Sequence, residues 1–195
     1  MDRVESIQHQ FSTNAGSYRT SKYHSKAPDL DALREAAQLK GSERVLDLGT
    51  GTGHTALAVA PGAEHVVGID LTTQMLEQAH QLAQERQITN VTFEEGDAQQ
   101  LAYADDSFDV VTCRVCAHHF ADPAAAVREA TRVLRPGGCV LWVDSVAPED
   151  PAQDTFLNSI ELLRDPSHVR DFSISQWQAM FAEAGLAAEP VGQWP

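Results

Sequence analysis

An α/β fold, a doubly wound and mostly parallel sheet with helices on both faces, is what the sequence predicts. Three observations predict it. From residue 41 onward, short apolar runs alternate with stretches of helical spacing. The fourth run, "FDVVTCRVC" (108–116), is continuous in its apolar character, as a strand covered on both faces must be. A bare turn, "GTGTG" (49–53), stands between the first strand-like run and the first helix-like one, the layout of a nucleotide-binding first turn.

The elements follow in order. Residues 1–40 form an N-terminal segment, polar at first and then helical in "DLDALREAAQLK"; residues 41–195 form the main domain. "ERVLDLG" reads as a buried strand at 44–49, with a short helix from about Gly53 to Ala60. "HVVGID" (65–70) is the second strand. In "LTTQMLEQAHQLAQERQ", Met75, Leu76, Ala79, Leu82 and Ala83 share one helical face, and Thr72 or Thr73 can cap its start. "VTFEEGD" carries a third strand at 91–95, and the fourth spans 108–115. Asp122 and Pro123 open the next helix as N-cap and first helical residue; its inner face holds Val127, Ala130, Val133 and Leu134, and "RPGG" (135–138) ends it with a turn. "CVLWVDSV" (139–146) is a fifth strand. Helices follow over 151–164 and from Ser175 to Ala184, the latter with Trp177, Met180 and Phe181 inward and Gly185 as its stop. "LAAEPV" (186–191) starts a sixth strand, whose Pro190 suits an edge.

Composition bounds the function. With 195 residues and 43% apolar content, the chain can bury one proper core. A net charge of −14 with no Lys/Arg cluster disfavours a nucleic-acid substrate. No apolar run reaches the roughly 18–20 residues of a membrane span, and the N-terminus has no signal-peptide h-region, so a soluble cytoplasmic protein is expected. Three cysteines do not make a disulfide framework. Cys113 and Cys116 in "CRVC" read as buried strand thiols; no zinc-spaced second pair stands beside them, only His118 and His119, and no metal site is expected.

The glycines read G-x-G-x-G (Gly49, Gly51, Gly53), not the G-x-G-x-x-G of a dinucleotide site. Glycine lets a ligand approach the main chain, and the helix beyond offers free N–H groups. Asp47, two residues before the first glycine, is a poor neighbour for a pyrophosphate and a tolerable one for a cationic ligand. "VLDLGTGTGH" resembles the first motif of the class I S-adenosylmethionine (SAM) dependent methyltransferases. Within them the chain resembles the ubiquinone/menaquinone C-methyltransferase-like group, from "FSTNAGSYRTSKYH" through "GDAQQL", "FDVVTCRVCAHHF" and "REATRVLRPGG" to "FSISQWQAMFAEAGL".

The resemblance implies a Rossmann-like domain with SAM as cofactor, held by Asp47, Gly49, Thr50, Gly51, Thr52 and Gly53 of the first motif. It also implies Asp70, with Leu71, at the ribose hydroxyls. Asp97 and the Ala98 backbone would meet the adenine amino group, although Asp97 could simply cap a turn. Arg114 matches a cofactor-contacting position and equally suits an ion pair.

Methyl transfer is an in-line displacement in which alignment supplies much of the rate. A base is needed only when the acceptor must lose a proton. His118 and His119, just past the fourth strand, are the candidates; the alternative is that they only shape the pocket. In relatives the segment holding Tyr18, Tyr23 and His24 folds over the cofactor as a lid, although its polarity also suits a frayed terminus. Trp142, Trp177 and Phe181 read as core. The family's antiparallel seventh strand has no counterpart, so either the sequence is cut short or another chain, a second copy or a partner, completes the edge.

The expected function is SAM-dependent methyl transfer to C or O of a small, apolar or aromatic molecule. A SAM-binding protein without catalysis remains an alternative. An NAD-dependent oxidoreductase is disfavoured by the glycine spacing and by Asp47.

Overall fold

A computed structural model describes residues 3–194, with the side chains of residues 3, 4, 6, 7, 22 and 23 left aside, so the expectation for Tyr23 lies outside the described residues. Five strands, β1 (Arg44–Leu48), β2 (His65–Asp70), β3 (Val91–Glu95), β4 (Phe108–Arg114) and β5 (Leu134–Val143), form one sheet in the order β3-β2-β1-β4-β5. All four pairings are parallel. Strand order reverses between β1 and β4, and a crevice opens there beyond the carboxyl ends.

Alternate residues of a strand face opposite sides of the sheet, and the chain fills both. Leu46 and Leu48 of β1 and Val111 and Cys113 of β4 pack under α6 (Pro123–Val133) and α8 (Ile174–Glu183). Val45, Val66 and Val110 pack on the other face under α4 (His54–Val59) and α5 (Thr73–Glu85). Every predicted inward residue of α5 is buried, as are Val127, Ala130 and Val133 of α6. Asp122 caps α6 as expected, its Oδ1 accepting from the Ala125 amide at 2.9 Å. Trp177 and Phe181 of α8 are core, and Trp142 packs against them with ring centroids 5.3 and 5.6 Å away.

Three local expectations are corrected. "RPGG" does not form a free turn: Leu134 already pairs with Phe108, the chain bulges, and pairing resumes at Cys139 opposite Val110. A Cβ on Gly138 would lie 2.5 Å from the Asp109 carbonyl, so only glycine lets the bulge press against β4. Residues 186–194 carry no strand, which leaves β5 at the sheet edge among the described residues. Thr72 occupies the N-cap position of α5 without making a side-chain cap, and its hydroxyl is buried without a partner. The N-terminal segment, expected to be a helical lid, is helical, as α1 (Arg3–Thr20), α2 (Lys22–Lys26) and α3 (Pro28–Ala36). The fourth α-helix of the main domain region, α7 (Pro151–Arg164), buries none of its residues, and Phe156 and Leu163 are exposed on it. Among the described residues, no helix is long and apolar enough to cross a membrane.

The N-terminal helices roof the crevice. α1 lies along α5 through polar contacts: Gln8 Nε2 donates to the Leu71 carbonyl at 2.8 Å, Ser12 to Gln74 at 2.8 Å, and Arg19 pairs with Glu85. A different kind of tie holds α2 and α3. Arg114, at the end of β4, donates through Nε to Asp29 Oδ2 at 2.5 Å and through Nη1 to the His24 carbonyl at 3.1 Å. Both side chains of that ion pair are nearly inaccessible, at 3% and 9%.

Exposed pairs contribute about 0–1 kcal/mol, whereas removing one partner of a buried pair costs about 3–5 kcal/mol because a desolvated charge is left behind. Asp29→Ala is therefore expected to lower the unfolding free energy by about 3–5 kcal/mol, and Glu85→Ala by less than about 1 kcal/mol, read from urea midpoints.

Candidate active site

The crevice holds a cavity of about 1000 Å³, part of it open to solvent. Its floor is the turn after β1. Gly49, Gly51 and Gly53 all take positive φ, at 58°, 54° and 83°, a region that favours glycine. Space makes the same demand at two of them. A Cβ on Gly49 would lie 2.6 Å from Cys116 Sγ, and one on Gly53 would lie 2.9 Å from the Phe93 ring. The roles differ: Gly49 and Gly51 line the cavity, whereas Gly53 caps α4 and lets it close on β3 and α5.

Asp47 is not a lining residue. It sits beneath the turn, 1% exposed, accepting from Thr50 Oγ1 and Thr112 Oγ1 at 2.6 Å each. Burial pushes its carboxyl up to about 6, the two hydroxyl hydrogen bonds opposing that shift only in part. Thr50 and Thr52 are buried and line the cavity.

Two more carboxylates stand at the rim. Asp70, ending β2, accepts from the Gly51 amide through Oδ2 at 2.8 Å and from the Thr72 amide through Oδ1 at 2.9 Å. Burial raises its pKa, against those amide bonds. An ionised carboxylate has about four lone-pair sites, and these two amides take one on each oxygen. Asp97 uses Oδ1 for the Gln99 amide at 2.8 Å and the Gln99 side chain at 3.0 Å; Oδ2 makes no hydrogen bond to the described residues. Leu71, Ala98 and Arg114 also line the cavity. Arg114 is the buried ion pair already described and not a surface one.

The two predicted histidines part company. His118 points away from the cavity and pairs with Asp144, ring Nδ1 to Oδ1 at 2.5 Å and backbone amide to Oδ2 at 3.0 Å. Burial pulls its pKa down, but the charge and hydrogen bond of Asp144 outweigh this and the net shift is upward. His119 lines the cavity, with the Phe11 ring edge-on 4.9 Å away. Burial, then the neighbouring His118, lowers it to about 4.

Further residues line the cavity beside those the glycine and acidic motifs predict. His54, the first residue of α4, donates through Nε2 to the Tyr18 carbonyl at 3.2 Å; burial lowers its pKa. Phe11, Met75 and Phe120 supply apolar wall, and Tyr18 and His24 join them from the roof. Val115 is another: it has φ 54°, a strained value for a β-branched residue, directly after β4. No pattern in the sequence marks such a residue, because strain arises only when two elements meet. Cys113 and Cys116 lie 3.3 Å apart; the Cys113 hydrogen bond lowers the Cys116 pKa, burial together with the Asp144, Asp47 and Asp70 carboxylates outweighs it, and both thiols are raised. Among the described residues, no three His, Cys, Asp or Glu side chains are placed to hold a metal ion.

Comparison with known proteins fits this geometry. The family described as "Methyltransferase domain" matches residues 39–185. The chain is 48% identical over 184 residues to the uncharacterized methyltransferase YcgJ of Bacillus subtilis, covering 94% of this chain and 73% of that one. The YcgJ crystal structure superimposes with a TM-score of 0.83 over 85% of this chain and 71% of that one. A demethylmenaquinone methyltransferase of Deinococcus radiodurans is 38% identical over 75% of this chain and 63% of its own length. A 27-O-demethylrifamycin SV methyltransferase of Amycolatopsis mediterranei is 34% identical over 84% of this chain and 62% of its own. The chain thus spans less than two thirds of these last two relatives.

Unfolded aspartate ionises near pH 3.8 and folded Asp47 near about 6, so between these values the folded state holds the extra proton and stability falls as pH rises. Relative to Asp47→Asn, the wild type is expected to lose up to about 3 kcal/mol between pH 4 and pH 7.5, measured as the difference in urea midpoints.

Proposed function

The chain belongs to the SAM-dependent methyltransferases, and from that premise we propose that it transfers a methyl group to carbon or oxygen of a small, apolar or aromatic molecule. The observation that carries this reading is the cavity itself: a bare glycine turn on its floor, two carboxylates at its rim, and aromatic side chains on the opposite wall. The names of the relatives, a demethylrifamycin and a demethylmenaquinone methyltransferase, support an organic small-molecule acceptor.

SAM, when bound, supplies an electrophilic methyl group on a sulfonium. The residues present fit such a ligand. Gly49, Thr50, Gly51 and Thr52 offer uncovered backbone for its amino-acid end. Asp70, beside Leu71, accepts from ribose hydroxyls; Asp97 and the Ala98 backbone meet the adenine amino group. Arg114 holds the roof rather than the ligand, Asp47 supports the turn from below, and Gly53 closes the packing behind it. Phe11, Tyr18 and Phe120 exclude water and orient an aromatic or apolar acceptor.

His119 is the base if the acceptor loses a proton. It is neutral at pH 7, and a ring nitrogen not bonded to Ser167 is available to the cavity. His118 supports it from behind, not as a base of its own. Its net-raised pKa and its pairing with Asp144 suit a positive charge held outside the cavity.

Calorimetry tests cofactor identity: S-adenosylhomocysteine should bind and NAD should give no heat, while NAD binding without S-adenosylhomocysteine binding would reject the reading. Asp70→Ala should weaken S-adenosylhomocysteine by about 1.5–3 kcal/mol for each charge-assisted hydrogen bond lost. His119→Ala should leave that affinity nearly intact and lower turnover by about 10²–10⁴-fold; equal losses in both would make His119 structural.

A further inference from the structure

We propose that Asp165 and Ser167 are positioning residues that hold His119 as its Nδ1–H tautomer and leave the Nε2 lone pair for the cavity. The three side chains form a directed chain of hydrogen bonds. Ser167 Oγ donates to Asp165 Oδ1 at 2.6 Å, and the Ser167 amide donates to the same oxygen at 2.8 Å. His119 Nδ1 lies 3.1 Å from the Ser167 carbonyl and 3.2 Å from Ser167 Oγ. A carbonyl can only accept. The serine hydroxyl can donate or accept, but its one proton is committed to Asp165, so it too is left as an acceptor. Both partners of Nδ1 therefore require the proton on Nδ1.

The turn that carries Ser167 is itself held. The Asp165 amide donates to the Glu161 carbonyl at the end of α7 at 2.8 Å, and His168 closes the turn on the Asp165 carbonyl at 3.0 Å. On the far side, the His118 carbonyl accepts from the amides of Val169 and Arg170 at 2.8 and 3.2 Å. The 117–119 turn and the 165–170 segment thus clasp each other from both sides. Asp165, Ser167 and His168 are all buried. Burial works against ionisation of Asp165, but the two Ser167 hydrogen bonds together with the nearby His119 and Arg164 hold the carboxyl below its usual range, so it remains an acceptor at neutral pH.

The groups that face the His119 ring set its charge. His118, its ring centroid 4.1 Å away and paired with Asp144, opposes a second cation; His168 stands 6.5 Å away, Asp165 lies behind Ser167, and the Phe11 ring covers the remaining side from α1. A neutral imidazole with a fixed tautomer is what a proton-accepting or hydroxyl-orienting group needs. That use of the lone pair rests on the methyltransferase reading above; the tautomer lock does not.

The test is nitrogen-15 NMR of the histidine rings in the full chain with S-adenosylhomocysteine added, with His119 assigned by its loss in His119→Gln. The wild type should show His119 protonated at Nδ1 and bare at Nε2 from pH 8 down to about pH 5. Asp165→Ala frees the Ser167 proton to donate to Nδ1 and should raise the Nε2–H tautomer to a comparable population. Asp165→Asn keeps an Oδ1 acceptor and should restore the wild-type pattern. Should Asp165→Ala fail to fold, Ser167→Ala, which removes one of the two acceptors, should show a measurable Nε2–H population. An Nε2–H tautomer in the wild type, or unchanged tautomers in whichever of these variants folds, would overturn the proposal. If S-adenosylhomocysteine gives no binding heat while the tautomers behave as expected, the lock stands and the cofactor reading fails.

Discussion

A carboxylate taken out of water at the end of the central strand organises this molecule. Asp47 reaches one oxygen to Thr50 on the glycine turn and the other to Thr112 on β4, so three pieces of chain meet on one side chain. The surroundings follow from it. Thr50, turned inward, comes so close to β2 that a Cβ on Gly68 would sit 2.7 Å from its hydroxyl. The chain leaving β4 presses Cys116 against Gly49. Two neutral hydroxyls do not fully offset the cost of burying a charge, which is why the carboxyl titrates near about 6. The strain is concentrated at the floor of the cavity, where Val115 too adopts a backbone conformation its side chain disfavours.

The roof is attached in two ways of unequal strength. Along α5 the ties are polar and half-exposed, from Gln8, Ser12 and Arg19. At the cavity's inner end the tie is the buried Arg114–Asp29 pair, reinforced by the His24 carbonyl. Local opening draws on the weakest contacts first. By that measure the half-exposed polar ties of α1 to α5 are weaker than the buried tie of α2 and α3 to β4.

The charge state of the cavity is as ordered as its shape. Three imidazoles line it, His24, His54 and His119, and burial lowers the pKa of each. The histidine whose pKa is raised, His118, faces outward onto Asp144. A cationic cofactor would be repelled by protonated imidazoles at close range. Desolvation disfavours the charged form of the lining histidines, whereas His118, whose pKa is raised, is paired with Asp144 behind the wall.

Much of the fold and part of the site were legible in the sequence, because they rest on local patterns. Continuous apolar runs gave the buried strands, the spacing of Met75, Leu76, Ala79, Leu82 and Ala83 gave the face of α5, and Asp122-Pro123 gave the start of α6. Glycines at every second position located the turn that floors the cavity. What the sequence could not show is which way a side chain faces once two elements meet. Asp47 reads like a ligand contact and lies beneath the floor; Gly53 reads like Gly49 and serves helix packing instead. Adjacent His118 and His119 are turned to opposite tasks by Asp144 just past β5 and Ser167 after α7, partners 26 and 48 residues away. "RPGG" reads as a turn until β4 stands beside it and draws it into a bulged strand. Local chemistry sets which element forms, because backbone preference and periodicity act within a few residues. Long-range packing decides the role of each polar group, because burial and partner, not residue type, set its charge and direction.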